Sequence, residues 1–515
     1  MTWDAIVVGS GFGGAMAAYA LVHSGMRVLM LERGSWVSRG PDNWGPRGAG
    51  LLTPHYSLES PYHVVADGRR FLAGSWQCVG GQSVFYGGAS YRFRESDFDA
   101  NPEIVADSEA EWPLRYRDLE PYYACAELLL GVSGDAHEEP NAPPRSTPFP
   151  GAPAPLAPSS QRISDAAQRL GLTPSRIPLA ISYTPREGRG RCIRCGSCDG
   201  YACAAEAKND LASTIIPDLV QRGLVIRTNT VCVRLVRTGS RIAAVHCVNR
   251  VTLERECLTA RLIVLGAGTM ATPHLLLASG LDRASPARDA VGGYLMRHRN
   301  AAVFGIFVRR PNPHNEFDKQ IAIFDAYPNA GSIQQMSPPI GLVRAYLPKV
   351  LRVPASLLLS HASGLVCIAE DQPRRENHVS IDRSEVDRVG LPRLRVDHSY
   401  TARDNRAVKT LVDLSRRVLR AAGARFTLVH YIETFTHALG SVRMGPNPRT
   451  NPLDGNGRYR GIDNLYVVDG SALPRSAGVN PSLTIAANAL RIGLHLARLS
   501  PPVRRCPLQI LPTVV

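Results

Sequence analysis

Three groups of residues have types and spacings that could do chemistry. The first is a lone histidine, His437, in FTHALGSVRMG, three residues before Gly440 and seven before Met444. A histidine's ordinary pKa of about 6.5 lets the neutral ring take a proton near neutral pH. Among apolar and small residues, however, a histidine also serves as plain packing at a helix end. The second group is GSGFGG, with Gly9, Gly11 and Gly14 in the G-x-G-x-x-G spacing. Gly9 permits a tight turn, Gly11 lets backbone approach a pyrophosphate, and Gly14 lets a helix lie close on a strand. The third is RCIRCGSCDGYACAAEAKND, which holds Cys192, Cys195, Cys198 and Cys203. This spacing resembles an iron–sulfur pattern, although ferredoxins have a shorter last gap and a proline after it. Zinc is open on ligand count, as are structural or redox-active thiols.

Each group needs elements to hold it. DAIVV at residues 4–8 reads as a short buried strand, AMAAYALVHSG as a helix closing on Gly25, and RVLMLE as a second strand. This unit gives the glycines their meaning, because they follow a strand and open a helix whose N-terminus offers unpaired N–H groups to phosphates. Glu32 ends the second strand, where a carboxylate can accept from a ribose hydroxyl and disfavours a 2′-phosphate. A dinucleotide site is expected, with FAD and NAD both open. RLIVLGAG reads as another buried strand ending in glycines.

Ser35 to about Asn101 is rich in Gly, Pro and aromatics, as expected of a long loop over a ligand. Glu138 to Pro158 is dense in proline and reads as a surface excursion or linker. Between about Asn300 and Tyr400, segments such as AVFGIFV and HVSIDR predict an antiparallel sheet in a separate layer. ARDNRAVKTLVDLSRRVLRAAG predicts an amphipathic helix ending at Gly423.

With 515 residues, 44% of them hydrophobic, the chain can bury a large core. Its net charge of +15 comes mainly from scattered arginines without basic runs, so no nucleic-acid partner is expected. No leader pattern and no apolar run of spanning length is visible, so a soluble cytoplasmic protein without a membrane partner is expected. In that compartment the eleven cysteines should be mostly reduced.

Four distant segments together resemble the glucose-methanol-choline (GMC) flavoprotein oxidoreductases. They are the N-terminal unit; VGGQSVFYGGASYRF, similar to the first signature loop; LGAGTMATPHLLLASG, similar to the second; and HALGSVRMG with NLYVVDGSALPRSAGVNPSLTIAANA, similar to the C-terminal catalytic segments. The match runs in family order along nearly the whole chain. It implies an α/β fold, mixed α+β, with a Rossmann-like FAD-binding domain and an antiparallel-sheet substrate-binding domain. The implied division is FAD-binding at 1–110 and 161–299, a loop excursion and linker at 111–160, the substrate-binding sheet at 300–425, and an FAD-binding and catalytic segment at 426–515.

The resemblance implies FAD as cofactor. The first signature loop lacks the histidine that members with a covalent flavin link carry nearby, so noncovalent binding is expected. The family pattern sets Gly9, Gly11, Phe12, Gly13, Gly14, Glu32, Arg33, Val233, Gly266, Ala267, Asp469, Gly470, Pro481 and Ser482 at the cofactor. Gly80, Gly81, Ser83, Tyr86, Gly87 and Gly88 would hold backbone against the isoalloxazine. His437 falls at the catalytic histidine, a general base worth about 10²- to 10⁴-fold in rate. Asn480 falls at its partner position, where it contacts both cofactor and substrate and orients the hydroxyl so that the C–H points at flavin N5. Asn480 also precedes Pro481 at the start of a predicted helix, so its side chain has a competing reading as an N-cap.

The cysteine segment, with DRSEVDRVGLPRLRVD, resembles bacterial members acting on sugars, including flavin enzymes that oxidise the 6′-hydroxyl of paromamine-type aminoglycosides. The implied activity is FAD-dependent oxidation of a sugar or aminoglycoside alcohol to an aldehyde or ketone. By the same resemblance the four cysteines form a structural loop near the flavin, without a metal. Glu433 or Asp325 is the carboxylate expected to meet a cationic substrate, although the overall positive charge runs against one. The rival readings are an oxidase of a sterol or long-chain alcohol, a lyase on the same fold, and a nicotinamide dehydrogenase, which leaves His437 and Asn480 unexplained. The electron acceptor, whether oxygen, a quinone, a nicotinamide or a carrier, is not specified.

Overall fold

The computed structural model describes every residue except 1–2, 41–42, 44–55, 140, 186–188, 315, 339, 341–346 and 500–515. The corresponding parts of the expected loop at 35–101, of the linker and of the C-terminal segment lie outside the described residues. The apolar runs of the sequence build a five-stranded parallel sheet. Trp3–Val8 lies at its centre, between Ala260–Leu265 and Val28–Leu31, with Leu465–Val467 and Val225–Arg227 at the edges. Strands covered on both faces read as continuous apolar runs, which is why these were legible. The first helix, Phe12–His23, follows the glycine turn and packs against the last, Ser482–Leu499. Small residues make this contact close, since a Cβ on Gly493 would press on the Ala17 backbone and the Ala20 side chain.

A three-stranded meander, Thr230–Thr238, Arg241–Asn249 and Arg255–Leu258, lies between the strands of this sheet in sequence. The amphipathic helix is observed at Ala402–Ala421, with Leu411, Val418 and Leu419 buried in a second core against the antiparallel sheet.

Three expectations of organisation are corrected. The segment 35–101 is not one long loop, because Tyr56–Ala66 and Arg69–Trp76 form an antiparallel hairpin. Its turn residues Asp67 and Gly68 both have positive φ, at 47° and 78°, and an Asp-Gly pair with that backbone matches the twist of the strands it joins. The segment 111–160 is not only excursion and linker. Tyr116–Leu130 is a helix with Leu119, Tyr123, Ala126 and Leu130 buried on one face, and the Tyr123 hydroxyl lies 2.8 Å from Thr484 Oγ1 of the last helix.

The sheet expected at 300–425 has other bounds. It is six-stranded, ordered Phe426–Tyr431, Arg299–Ile306, Ala362–Ala369, Gly331–Met336, Ile321–Ile323, Pro174–Arg176, and so draws its edge strands from the segments assigned to FAD binding. His378–Val386 and Pro392–His398 leave it and join the 56–76 hairpin, through parallel pairing of Arg395 to His398 with His63 to Ala66. Strand partners are chosen by three-dimensional packing, which period-two alternation does not encode.

Candidate active site

The glycine turn is built by close approach. Gly9 has φ +96°, and a Cβ there would strike the Gly266 carbonyl; a Cβ on Gly14 would strike the carbonyl of Gly9, and one on Gly13 the carbonyl of Val468. Gly11 differs, since a Cβ there would meet nothing within 4 Å. The turn is thus closed where strand and helix meet and open at Gly11. Ser10, unremarked in the sequence, ties this region together: its hydroxyl donates to Glu32 Oε2 at 2.5 Å and accepts from the Gly80 N–H at 3.0 Å. Glu32 Oε1 accepts from the Gly34 N–H at 2.9 Å, and burial raises its carboxyl pKa against these bonds.

The loop from Gly80 to Gly88 lies over this turn, with Gly81 against the Gly11 backbone. The Ser83 hydroxyl donates to the Gly80 carbonyl at 2.6 Å and accepts from the Leu211 N–H at 3.1 Å. The Tyr86 ring meets Phe12 edge-on at 5.4 Å, and its hydroxyl donates to the Asn209 carbonyl. Beneath the loop Lys208 is buried and donates to the carbonyls of Tyr86, Cys198 and Tyr201, at 2.8, 3.0 and 2.6 Å. The cysteine segment is thereby fastened to the glycine loop.

Asp469 closes the last parallel strand. One carboxylate oxygen accepts from Gly268 and Thr272, the other from Ser471. Gly470 packs under the His437 segment, where Thr269 Oγ1 donates to the Ala438 carbonyl at 2.6 Å and the Gly440 N–H to the Gly470 carbonyl at 3.1 Å. His437 and Asn480 come together here, with Nε2 and Nδ2 3.5 Å apart. Both keep partial exposure, while the chain from Ser471 to Val479 is wholly buried. The pair therefore lines an opening in an otherwise closed wall.

Asn480 Oδ1 is buried and accepts no hydrogen bond, so the side chain does not cap the following helix. The first helical carbonyl is that of Pro481, which accepts from the Ile485 N–H at 2.9 Å, and Ser482 Oγ donates to the Ala89 carbonyl.

His298, a residue the sequence reading missed, fixes the protonation pattern. Its Nε2 lies 2.9 Å from the Ser476 carbonyl, which only accepts, so that nitrogen carries a proton. In the neutral ring Nδ1 is then an acceptor, and it lies 3.0 Å from His437 Nδ1. His437 must donate through Nδ1, which leaves its Nε2 lone pair facing Asn480 and the opening. Burial first, and then the charge of Lys319, lower the His437 pKa well below its ordinary value, so the ring is an unprotonated base at neutral pH. Asp371 holds His298 by accepting its backbone N–H at 3.1 Å and that of Arg297 at 2.8 Å. His298 and Ala477 both have left-handed backbone, φ +60° and +58°, an uncommon conformation for such residues that the surrounding bonds enforce.

Three further expected residues have these surroundings. Val233 packs with Ala278 in a small separate cluster. Asp325 is exposed and accepts from the Thr173 N–H, because it serves a strand connection. Glu433 is paired with Arg69. A further carboxylate, Asp199, lies at the glycine loop, 2.7 Å from Lys319 Nζ. Cys192, Cys195, Cys198 and Cys203 are free thiols around one small cavity, and burial pushes Cys192 up to about 11. Among the described residues no group of three His, Cys, Asp or Glu is arranged to hold a metal.

The GMC oxidoreductase family models match residues 3–300 and 373–489. The chain is a GMC oxidoreductase. Members of this flavoprotein family act on CH–OH groups, so it is an enzyme of that class. It is 30% identical to 6'''-hydroxyparomomycin C oxidase of Streptomyces lividus over 96% of this chain and 92% of that one. It is also 30% identical to paromamine 6'-oxidase of Streptomyces fradiae, over 95% and 90%. The crystal structure of pyridoxine 4-oxidase from Mesorbium loti superposes with a TM-score of 0.69 at 21% identity, covering 96% of this chain and 99% of that one.

This GMC chain's residues fit FAD. The open face at Gly11 suits a pyrophosphate between the closed contacts of Gly9 and Gly14. Arg33 Nε and Asn480 Oδ1 are buried without partners, and such orphaned groups call for a ligand to complete them. Among the described residues no helix is long and apolar enough to cross a membrane.

Proposed function

We propose that this GMC oxidoreductase oxidises a primary hydroxyl of a sugar or aminoglycoside, such as the 6′-hydroxyl of a paromamine-like molecule, to the aldehyde, with FAD bound noncovalently. The observation that carries the reading is the unprotonated His437 Nε2 facing the opening beside Asn480. His437 Nε2 takes the substrate hydroxyl proton, and His298 holds the Nδ1 proton so that the ring becomes imidazolium without turning. Asn480 Nδ2 donates to the same substrate oxygen and fixes the direction of its C–H bond. The bound flavin supplies the acceptor for the departing hydride.

The absence of histidine from VGGQSVFYGGASYRF supports noncovalent binding. The free thiols suit a reducing compartment, in keeping with a cytoplasmic enzyme. The two aminoglycoside oxidase relatives support the substrate class, and the charged pair Asp199–Lys319 beside the glycine loop favours a polar substrate over a sterol or long-chain alcohol.

The test is the visible spectrum of the purified holoenzyme, recorded anaerobically before and after adding paromamine. Bleaching of the oxidised flavin is expected, and His437→Ala should retain the flavin while losing at least about 100-fold in reduction rate. Failure of paromamine and other sugar alcohols to bleach the wild type would overturn the substrate class. Wild-type reduction in His437→Ala would overturn the base.

A further inference from the structure

We propose that Asp199 and Lys319 form the subsite that grips a sugar ring's hydroxyl or amino groups beside the carbinol being oxidised. This rests on the sugar reading above and adds the residues that would recognise the sugar. Lys319 comes from the chain just before the strand Ile321–Ile323 of the antiparallel sheet, and Asp199 from the cysteine segment; they meet as an ion pair at 2.7 Å. Their meeting point is the glycine loop, for a Cβ on Gly87 would collide with both charged heads. The lysine is also close enough to His437 for its charge to oppose protonation of that ring. The pair thus lies against the glycine loop, and the lysine's charge is felt at the base.

The pair is unevenly buried and incompletely bonded. The Lys319 side chain is 9% exposed and that of Asp199 32%, so the ammonium is nearly dry while the carboxylate remains open to a ligand. Among the described residues Asp199 Oδ1 is engaged by Lys319, Oδ2 accepts nothing, and Lys319 makes no other hydrogen bond. A spare acceptor and two spare N–H donors therefore stand side by side. Neighbouring sugar hydroxyls, each donor and acceptor at once, match that arrangement, and an amino sugar matches it with its ammonium on Asp199 and a hydroxyl on Lys319. An apolar alcohol would cover the pair without bonding it, which costs free energy. A site built to bond polar groups rejects analogues that lack them.

A purely structural ion pair would join the two layers without sensing substrate, and the experiment separates the two roles. Holoenzymes carrying Asp199→Asn or Lys319→Gln are mixed anaerobically with paromamine, and separately with cyclohexylmethanol, which keeps a ring and a primary carbinol but has no ring hydroxyl or amino group. Wild type is expected to prefer paromamine by at least about 100-fold in reduction rate over apparent Kd. Each variant should weaken the apparent Kd for paromamine by about 10-fold or more, and Asp199→Asn should also leave the limiting reduction rate within a few-fold and cyclohexylmethanol nearly unaffected. Two variants on different layers guard against failure of either one to fold, which flavin content and melting temperature reveal. Equal effects on both alcohols, or no effect on paromamine, would overturn the subsite while leaving the sugar reading intact. A wild type that no sugar alcohol reduces would overturn that reading and the subsite with it.

Discussion

His298→Leu tests the tautomer argument directly. The mutation removes the acceptor 3.0 Å from His437 Nδ1 and substitutes an apolar group of similar reach. His437 must then either leave a buried N–H unpaired, at a cost of about 1–3 kcal/mol, or move its proton to Nε2 and lose the basic lone pair. In both cases the productive form is disfavoured by that energy, which corresponds to about 5- to 160-fold in the rate of reduction by alcohol. The assay is anaerobic stopped-flow bleaching of the flavin at saturating paromamine. His298→Gln is the control, because its carbonyl can accept from His437 Nδ1–H while its amide donates to Ser476, and it should recover most of the rate. Wild-type reduction by a fully flavinated His298→Leu enzyme would refute the reasoning, and an equal loss in Leu and Gln would assign the defect to backbone strain at φ +60°.

Asn480→Ala should slow reduction by about 10-fold through lost positioning with an unchanged melting temperature, because Oδ1 caps nothing; a lower melting temperature at wild-type rate would restore the cap. Gly11→Ala should fold and bind FAD at least about 10-fold more weakly, whereas Gly14→Ala, whose Cβ overlaps the Gly9 carbonyl, should lose the fold itself; flavin fluorescence titration and thermal melting distinguish them. Burial pushes His274 down to about 4 while its Nε2 lies 2.7 Å from the Pro392 carbonyl. The unfolded chain, with a histidine pKa of about 6.5, binds the proton first as pH falls, so this contribution is full above pH 6.5 and lost towards pH 4, by up to roughly 3 kcal/mol. His274→Gln should flatten that slope in urea unfolding at pH 7 and 4.5, and an unchanged slope would count against it.

The parallel sheet and the glycine turn were legible because burial on both faces and close backbone approach leave direct marks: unbroken apolar runs, and glycines where a Cβ has no room. His437 and Asn480 were legible only through the family pattern, since neither is distinctive by type or spacing. The structure then separates the two readings of Asn480 by a single unpartnered oxygen. His298 had no signal of its own, being one histidine between two arginines in YLMRHRN, and its role depends on a contact made across 139 residues. Asp199 sits in a segment whose cysteines draw attention, and the partners of Glu433 and Asp325, Arg69 and Thr173, are too distant in sequence to be read from it.

The same long-range dependence explains why the catalytic wall can carry strained backbone. Arg475 is almost wholly buried and donates two bonds to Glu370, at 3.0 and 2.9 Å, and others to the carbonyls of Asp97 and Asp99. Glu370 also accepts from the Ala477 N–H, and Asp371 from the Ser476 hydroxyl and the His298 N–H. Two consecutive carboxylates at the end of the antiparallel strand Ala362–Ala369 thus hold the left-handed residues on both sides of the base. Removing one partner would leave a buried charge without compensation, a loss of several kcal/mol, far more than the strain at His298 or Ala477. The antiparallel sheet therefore fixes, from behind, the proton-bearing face of His437, so that the opposite face is left basic towards the opening.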